Sequence, residues 1–411
     1  MTLSALHTDL GSPDAYSDGV PHQVFAELRR REPVAWIEEP AGNGFAGGGP
    51  GFWAVTRYED LMTVSKNPDI FSSHKGSSFL RDQRPQDLAA LQQMMLNLDP
   101  PDHSQMRSIV SKVFTPKMVR GMFDSITAHA HDIVAALPDD GEIDLVEHVS
   151  AEMPLRVLAD VLGVPSEDRH LLYDWTNRMV GLDDPSYGGR EAFLSAFIEM
   201  FKYSNAQTKA KRAEPGSDVW SLIVNAEVDG ARLSTEELNR FFQLLVIAGN
   251  ETTRNLLTGF VLTLSEHPDE RSKLAADPAL LPKAIEEVLR FHSPVIQFRR
   301  TVTRETELGG KRLQEGQKVV MFYVSANRDE AQFEAPDEFR VDRGAANHVA
   351  FGAGTHFCLG NSLARLEAKV LLETLFARFP DWQMTGPPDR FRSNFINGIK
   401  KLPVHLGKAT S

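Results

Sequence analysis

The sequence predicts a mainly α-helical chain carrying small β-sheets, and three observations support that class. Apolar residues recur three and four positions apart through most of the 411 residues. Helix start signals stand ahead of these runs: Asp102 before His103, Thr115-Pro116, and Ser234 with Glu237 three residues on as a capping box. Strand-like alternation is confined to a few short runs bounded by turn residues.

Taken in order, the periodic pattern places helices at 21–31, 58–66, 103–113, 117–136, 146–162, 166–180, 190–212, 234–266, 281–291 and 361–379. The strand candidates are VAWIEE from Val34, FWAVTRY from Phe52, the TELGG and KRLQEG pair from Thr306, and KVVMFYVS from Lys318. The 234–266 helix is apolar on most sides, which predicts burial through the centre of the protein. No low-complexity block, heptad run or fixed-period repeat divides the chain, so residues 1–411 read as a single domain.

The totals exclude several classes of function. With 44 basic and 56 acidic residues the formal net charge is −12, which argues against broad nucleic-acid binding. One cysteine, Cys358, rules out an intramolecular disulfide. The start, MTLSALHTDLGSPDAYSDG, lacks the basic, apolar and small-residue pattern of a signal peptide. The apolar run from Leu244 to Gly249 stops at Asn250-Glu251, and no uncharged stretch reaches the roughly 18 residues of a membrane span. A cytoplasmic protein with no membrane anchor is expected.

Two patterns carry little by themselves. Gly42-Asn43-Gly44-Phe45-Ala46-Gly47 matches G-x-G-x-x-G, but the strand-like FWAVTRY follows it where a dinucleotide site needs a helix. A hairpin loop is expected there. Glu287-Val-Leu-Arg290 places an acid and an arginine on one helical face, and Glu237-Leu-Asn-Arg240 repeats the spacing. Such pairs are usually solvated, and Glu237-Arg240 reads as surface.

Cys358 lies in FGAGTHFCLG, residues 351–360, just ahead of a helix. It could be a small buried hydrophobe, a nucleophile beside His356, or a metal ligand. Zinc needs about four ligands and no Cys or His cluster supplies them, whereas haem iron needs one axial protein ligand and accepts a thiolate. Phe351, Gly354, His356, Cys358 and Gly360 match Phe-x-x-Gly-x-His/Arg-x-Cys-x-Gly, the haem loop of the cytochrome P-450 monooxygenases. The sequence strongly resembles that family over nearly its whole length. The resemblance implies a triangular helical prism enclosing haem b (iron protoporphyrin IX), with Cys358 as the axial thiolate. Phe351, Gly352 and Gly360 would line the cofactor, the glycines letting backbone approach a flat macrocycle.

Other motifs keep the family's order. Glu287 and Arg290, with Phe333-x-x-Pro336-x-x-Phe339-x-x-x-Arg343, resemble the Glu-x-x-Arg pair and meander arginine that support the haem loop. Ala248-Gly249-Asn250-Glu251-Thr252-Thr253 is similar to the oxygen-activation motif, in which Glu251 and Thr252 would deliver protons and Gly249 would make room for dioxygen. By the same resemblance Ala248 would flank the cofactor. His103 and Arg107 would meet one propionate, and Arg300 and His356 the other, with Arg299 leaving the register open by one.

The implied reaction is insertion of one oxygen atom of O2 into a C–H bond, with electrons from a separate ferredoxin or flavodoxin and its NAD(P)H-dependent reductase. The 53 residues after Cys358 leave no length for a fused reductase domain. Lys112, Arg107 and Arg365 would help such a partner dock, and a monomer is expected. The family layout assigns substrate contacts to Phe79, Leu98, Met179, Val180, Leu245, Ala248, Val295, Ile296, Phe298, Phe395 and Ile396, an apolar lining. The stretches 248–255 and 393–400 are similar to actinobacterial members that oxidise sterols and methyl-branched lipids, pointing to a steroid, terpenoid or branched lipid. Rival readings are a natural-product oxidase performing C–C or C–N coupling or cyclisation, a peroxide-driven enzyme, and a haem sensor without turnover. The first two share the cofactor; the sensor needs no proton relay.

Overall fold

Seven helices position the site in a computed structural model that describes residues 10–39, 49–111, 114–228, 231–344 and 347–410. They are α1 (Asp102–Ser111), α2 (Glu152–Leu162), α3 (Arg169–Val180), α4 (Gly189–Ala213), α5 (Thr235–Glu266), α6 (Leu281–His292) and α7 (Asn361–Arg378). The glycine-rich loop at 42–47 and Lys112 lie outside the described residues.

α5 organises the rest. Its N-terminus is fixed by the expected capping box: the Ser234 hydroxyl accepts from the Glu237 amide, and the Glu237 carboxylate accepts from the Ser234 amide. Its apolar residues face nearly every side because α2, α3, α4, α6 and α7 all pack against it. The main cluster of buried apolar residues, which runs from Met95 to Leu406, is built around this helix. Burial on that scale, at about 25 cal/mol per Å2 of apolar surface, drives the helices together.

The main sheet contains β1 (Val34–Ile37), β2 (Phe52–Val55), β3 (Phe71–Ser72), β4 (Gln297–Val302) and β5 (Lys318–Phe322), in the order β1-β2-β5-β4-β3. Only the β2–β5 pair is parallel. The alternation of side chains along β4 settles the arginine register. Arg299 turns to one face and pairs with Asp82 at 2.8 Å, whereas Arg300 turns to the other and lines the cavity described below.

Several boundaries differ from the sequence expectation. The 117–136 helix is two, Pro116–Gly121 and Phe123–Ala135, interrupted at Met122 just after a glycine. The 146–162 segment opens as a π-helical turn, Val146–Ser150, before α2. KVVMFYVS leaves the sheet after Phe322 and closes as a short helix, Tyr323–Ala326. Helices at Pro85–Leu91 and Pro268–Ala276 and a strand pair of Glu142–Asp144 with Pro403–His405 have no counterpart in the expectation. β3 and β4 are likewise unanticipated.

Candidate functional site

The 351–360 loop is held by its own backbone. The Cys358 amide donates to the Phe351 carbonyl at 2.9 Å and the Gly352 amide to the Val349 carbonyl at 2.8 Å. Gly354 has φ +66°, and a Cβ there would stand 2.2 Å from the Ser65 carbonyl oxygen, so only glycine fits. Cys358 faces a cavity of about 260 Å3 between this loop and α5. Burial pushes its thiol up, while the amides of Gly360 and Asn361 and the charges of Arg107 and Arg365 favour the thiolate.

Four basic side chains line that cavity: His103 and Arg107 from α1, Arg300 from β4 and His356 from the loop. They form one cluster rather than two separate pairs, since the His103 and His356 rings lie 4.2 Å apart. Arg107 donates to the Phe357 carbonyl at 2.5 Å, tying α1 to the cysteine loop. Arg300 is only 5% exposed, and among the described residues no ion pair engages it. Burial, then Arg107, depresses His103 to about 4, with Asp99 offsetting part. Burial and the neighbouring Arg300, His103 and Arg107 depress His356 to about 2. Both imidazoles are therefore neutral near pH 7, and the unpaired charges of Arg300 and Arg107 beside them fit a ligand bearing carboxylates.

The opposite wall is α5. Ala248, Gly249 and Thr252 line the cavity across from Cys358. A Cβ on Gly249 would meet only the Leu158 side chain, at 3.5 Å, and one on Gly360 would meet nothing within 4 Å. The protein's own packing does not require either glycine, so the open space beside the sulfur and the helix fits a flat prosthetic group. Thr252 donates its hydroxyl to the Ala248 carbonyl at 2.7 Å. Glu251 does not line the cavity. One step round the helix, it is 1% exposed and accepts from Arg254 Nη2 at 2.6 Å and Asn255 Nδ2 at 2.7 Å. Arg254 Nη1 in turn donates to Asn177 Oδ1 on α3 at 2.8 Å.

Behind the loop, Glu287, Arg290 and Arg343 meet. Arg290 forms a two-pronged pair with Glu287, both contacts at 2.8 Å, and Arg343 Nε reaches Glu287 Oε1 at 2.8 Å. The remaining guanidinium protons go to the carbonyls of Asn327, Pro336 and Glu338. Arg365, expected near a docking face, is committed to Glu286 at 2.6 Å and lies over the Phe351 ring at 4.4 Å.

A second cavity, of about 340 Å3, adjoins the first. Phe79, Met179, Val180 and Phe395 line it, while Leu245, Val295 and Phe298 line the cavity beside Cys358. Phe395 links the two, its ring 5.5 Å from Phe79 and 5.3 Å from Phe298. Three expected contacts fall elsewhere. Ile296 turns away from its neighbours Val295 and Gln297 into the core with Phe52 and Phe322. Ile396 is 4% exposed and bridged to Val295, and Leu98 packs on the main core.

The sequence reading missed Leu158 and Glu367 in the first cavity and Arg240, Gln243 and Gln297 in the second. Glu367 is buried, and burial raises its carboxyl to about 8. Arg240 corrects an expectation. It is not a surface partner of Glu237, which is occupied in the cap; it is 7% exposed and pairs at 3.6 Å with Glu236. Its place among Phe241, Phe242 and Leu244 in an apolar helix was the signal.

The family model described as Cytochrome P450 matches residues 188–405. A methyl-branched lipid omega-hydroxylase of Mycobacterium bovis is 41% identical, over 96% of this chain and 94% of that protein. A steroid C26-monooxygenase of Rhodococcus jostii is 38% identical, over 98% and 85%. Among solved structures, a Mycobacterium marinum cytochrome P450 in complex with pseudoionone superposes with a TM-score of 0.87 at 37% identity, covering 93% of this chain and 94% of that one.

Proposed function

This chain belongs to the cytochrome P450 family, and from that premise we propose how its residues divide the work of a haem-thiolate monooxygenase. Haem b is the family's cofactor; bound here it would supply the oxygen chemistry. Cys358 is the thiolate ligand. The observation that carries this reading is the placement of the only cysteine across an apolar cavity from Thr252, with four basic side chains along one side.

His103, Arg107, Arg300 and His356 hold the propionates, and Phe351, Gly352, Gly360 and Ala248 line the macrocycle. Thr252 lines the side where oxygen would be activated, its hydroxyl oxygen free to accept there while its proton is held on the Ala248 carbonyl. Glu251, immediately behind it, is the acid of the same path and is oriented by Arg254 and Asn255. Glu287, Arg290 and Arg343 keep the cysteine loop rigid.

The substrate is an apolar small molecule of the steroid, terpenoid or branched-lipid class. The names of the relatives and the aromatic and aliphatic lining of both cavities support this. Enzymes of this family work with redox partners. Here the electrons come from a separate ferredoxin or flavodoxin and its NAD(P)H-dependent reductase. The chain acts as a single-domain monomer in the cytoplasm; among the described residues no helix is long and apolar enough to cross a membrane. Thr252→Ala tests the assignment. It should still take up haem and substrate but release reducing equivalents as hydrogen peroxide instead of hydroxylated product. Unchanged coupling of electrons to product would remove Thr252 from the proton path.

A further inference from the structure

Glu286 and Glu287 are neighbours on α6 and turn to different partners. Glu287 takes Arg290 and Arg343, whereas Glu286 accepts from Arg365 Nε at 2.6 Å and from Arg365 Nη2 at 2.9 Å, a two-pronged pair with the start of α7. The His348 ring lies against the same carboxylate, its Nε2 at 3.1 Å. The Ala350 amide donates to His348 Nδ1 at 3.2 Å, which leaves the Nε2 proton for Glu286. Burial raises the Glu286 carboxyl, but the bonds from Arg365 and His348 outweigh it and hold the group down at about 2, so the carboxylate is charged. One acid thus ties the residues that enter the 351–360 loop to the helix that leaves it.

Arg365 reaches Cys358 by two short routes. Its guanidinium lies over the Phe351 ring at 4.4 Å, and the Phe351 carbonyl accepts from the Cys358 amide at 2.9 Å. Its Nη1 donates to Asn361 Oδ1 at 2.9 Å, and Asn361 Nδ2 donates to the Cys358 carbonyl at 2.8 Å. Arg365, Glu286 and His348 do not line the cavity that Cys358 faces, so the cluster stands on the other side of the loop. With Nε, Nη1 and Nη2 all bonded, the guanidinium is a fixed charge rather than a mobile surface one.

We propose that Arg365, fixed by Glu286, is a positioning residue that raises the reduction potential of the thiolate-bound iron, an inference that rests on the haem-thiolate reading above. Uptake of one electron from the redox partner turns ferric iron to ferrous and adds one negative charge beside Cys358. A positive charge held behind the loop favours that change. The Glu286 carboxylate opposes it less, because it reaches the loop only through Arg365 and His348.

The test is spectroelectrochemical reduction of the haem-loaded, substrate-free protein with no redox partner present, for wild type, Arg365→Met, Arg365→Lys and Glu286→Gln. In Arg365→Met the ferrous-to-ferric ratio at a fixed potential should fall about threefold, a shift of about 30 mV at about 59 mV per tenfold for one electron. In Glu286→Gln the arginine keeps its charge and loses its counter-charge, so the ratio should rise. Arg365→Lys keeps the charge without the fork and should recover about half of the shift or more. Arg365→Met and Glu286→Gln break the same bridge, so a merely structural role would move both in one direction. A role confined to partner docking would move neither. Either result overturns the proposal, as does a lysine variant no different from the methionine one. If Arg365→Met fails to hold haem, the sign of the Glu286→Gln shift decides alone. Absence of a thiolate–haem spectrum in the wild type would instead defeat the functional reading beneath it.

Discussion

Two Glu-x-x-Arg pairs are buried to the same depth in this protein and have different surroundings. Glu287 and Arg290 on α6 have side chains 0% exposed, and Glu251 and Arg254 on α5 have side chains 1% exposed. The first pair is complete: Arg343 joins it, and backbone carbonyls take the spare guanidinium protons. The second is closed by side chains: Arg254 Nη2 stands 2.5 Å from Glu251 Oε2 and Asn255 Nδ2 2.7 Å from Oε1, Arg254 Nε has no hydrogen-bond partner, and the cluster stands directly behind the wall of the cavity facing Cys358. A buried network tied to backbone carbonyls holds one geometry, whereas side chains that bond mainly to one another are free to rearrange together. The same spacing is thus tied to backbone on one helix and stands beside the cavity on the other, where we propose that it handles protons.

The largest expected effect separates the two. Glu287→Gln leaves Arg290 and Arg343 buried without their counter-charge and should destabilise the fold by about 3–5 kcal/mol, read by chemical denaturation and by loss of haem retention. Glu251→Gln likewise leaves Arg254 without its counter-charge and should cost stability, but the molecules that fold should keep their haem content and spectrum. It should slow oxygen-dependent turnover on the order of 10²-fold and enlarge the solvent isotope effect, because a proton donor has been removed. If Glu251→Gln unfolds the protein as Glu287→Gln does while turnover per folded molecule is unchanged, both pairs are structural and the contrast fails.

A smaller effect probes the junction between the two helices. His292 ends α6 and packs on Gly259 of α5, where a Cβ would stand 2.4 Å from its ring. Burial, with Arg390 and Arg328 nearby, holds its imidazole down at about 3. The unfolded chain binds this proton near 6.5 and the folded one does not, so stability is present above that value and is lost as pH falls. The slope from this histidine is at most about 1.4 kcal/mol per pH unit. His292→Asn should flatten the dependence of urea stability on pH between 7.5 and 5.5, and an unaltered slope would place the acid sensitivity elsewhere.

How much of this was legible in the sequence follows from the range of each interaction. The cysteine loop was legible because its determinants, Phe351 to Gly360, are contiguous and carry steric demands such as that of Gly354. The capping box at Ser234 was legible for the same reason. Arg343 could be joined to Glu287 only through the family resemblance, since 56 residues separate them. β3 and the Glu142–Asp144 strand have only two and three residues, and their partners lie far away in sequence, so no local periodicity marks them. Arg240 was misplaced because the i, i+3 rule pairs it with Glu237, whose carboxylate the cap already holds. Ile296 was misplaced because one residue along an extended chain exchanges cavity for core.

The measurement that tests the central claim most directly is the visible difference spectrum of the dithionite-reduced protein with and without carbon monoxide, for wild type and Cys358→Ser. The account predicts a strongly red-shifted Soret band in the wild type that is lost in the variant. A band typical of histidine ligation, or one that survives in Cys358→Ser, would contradict it.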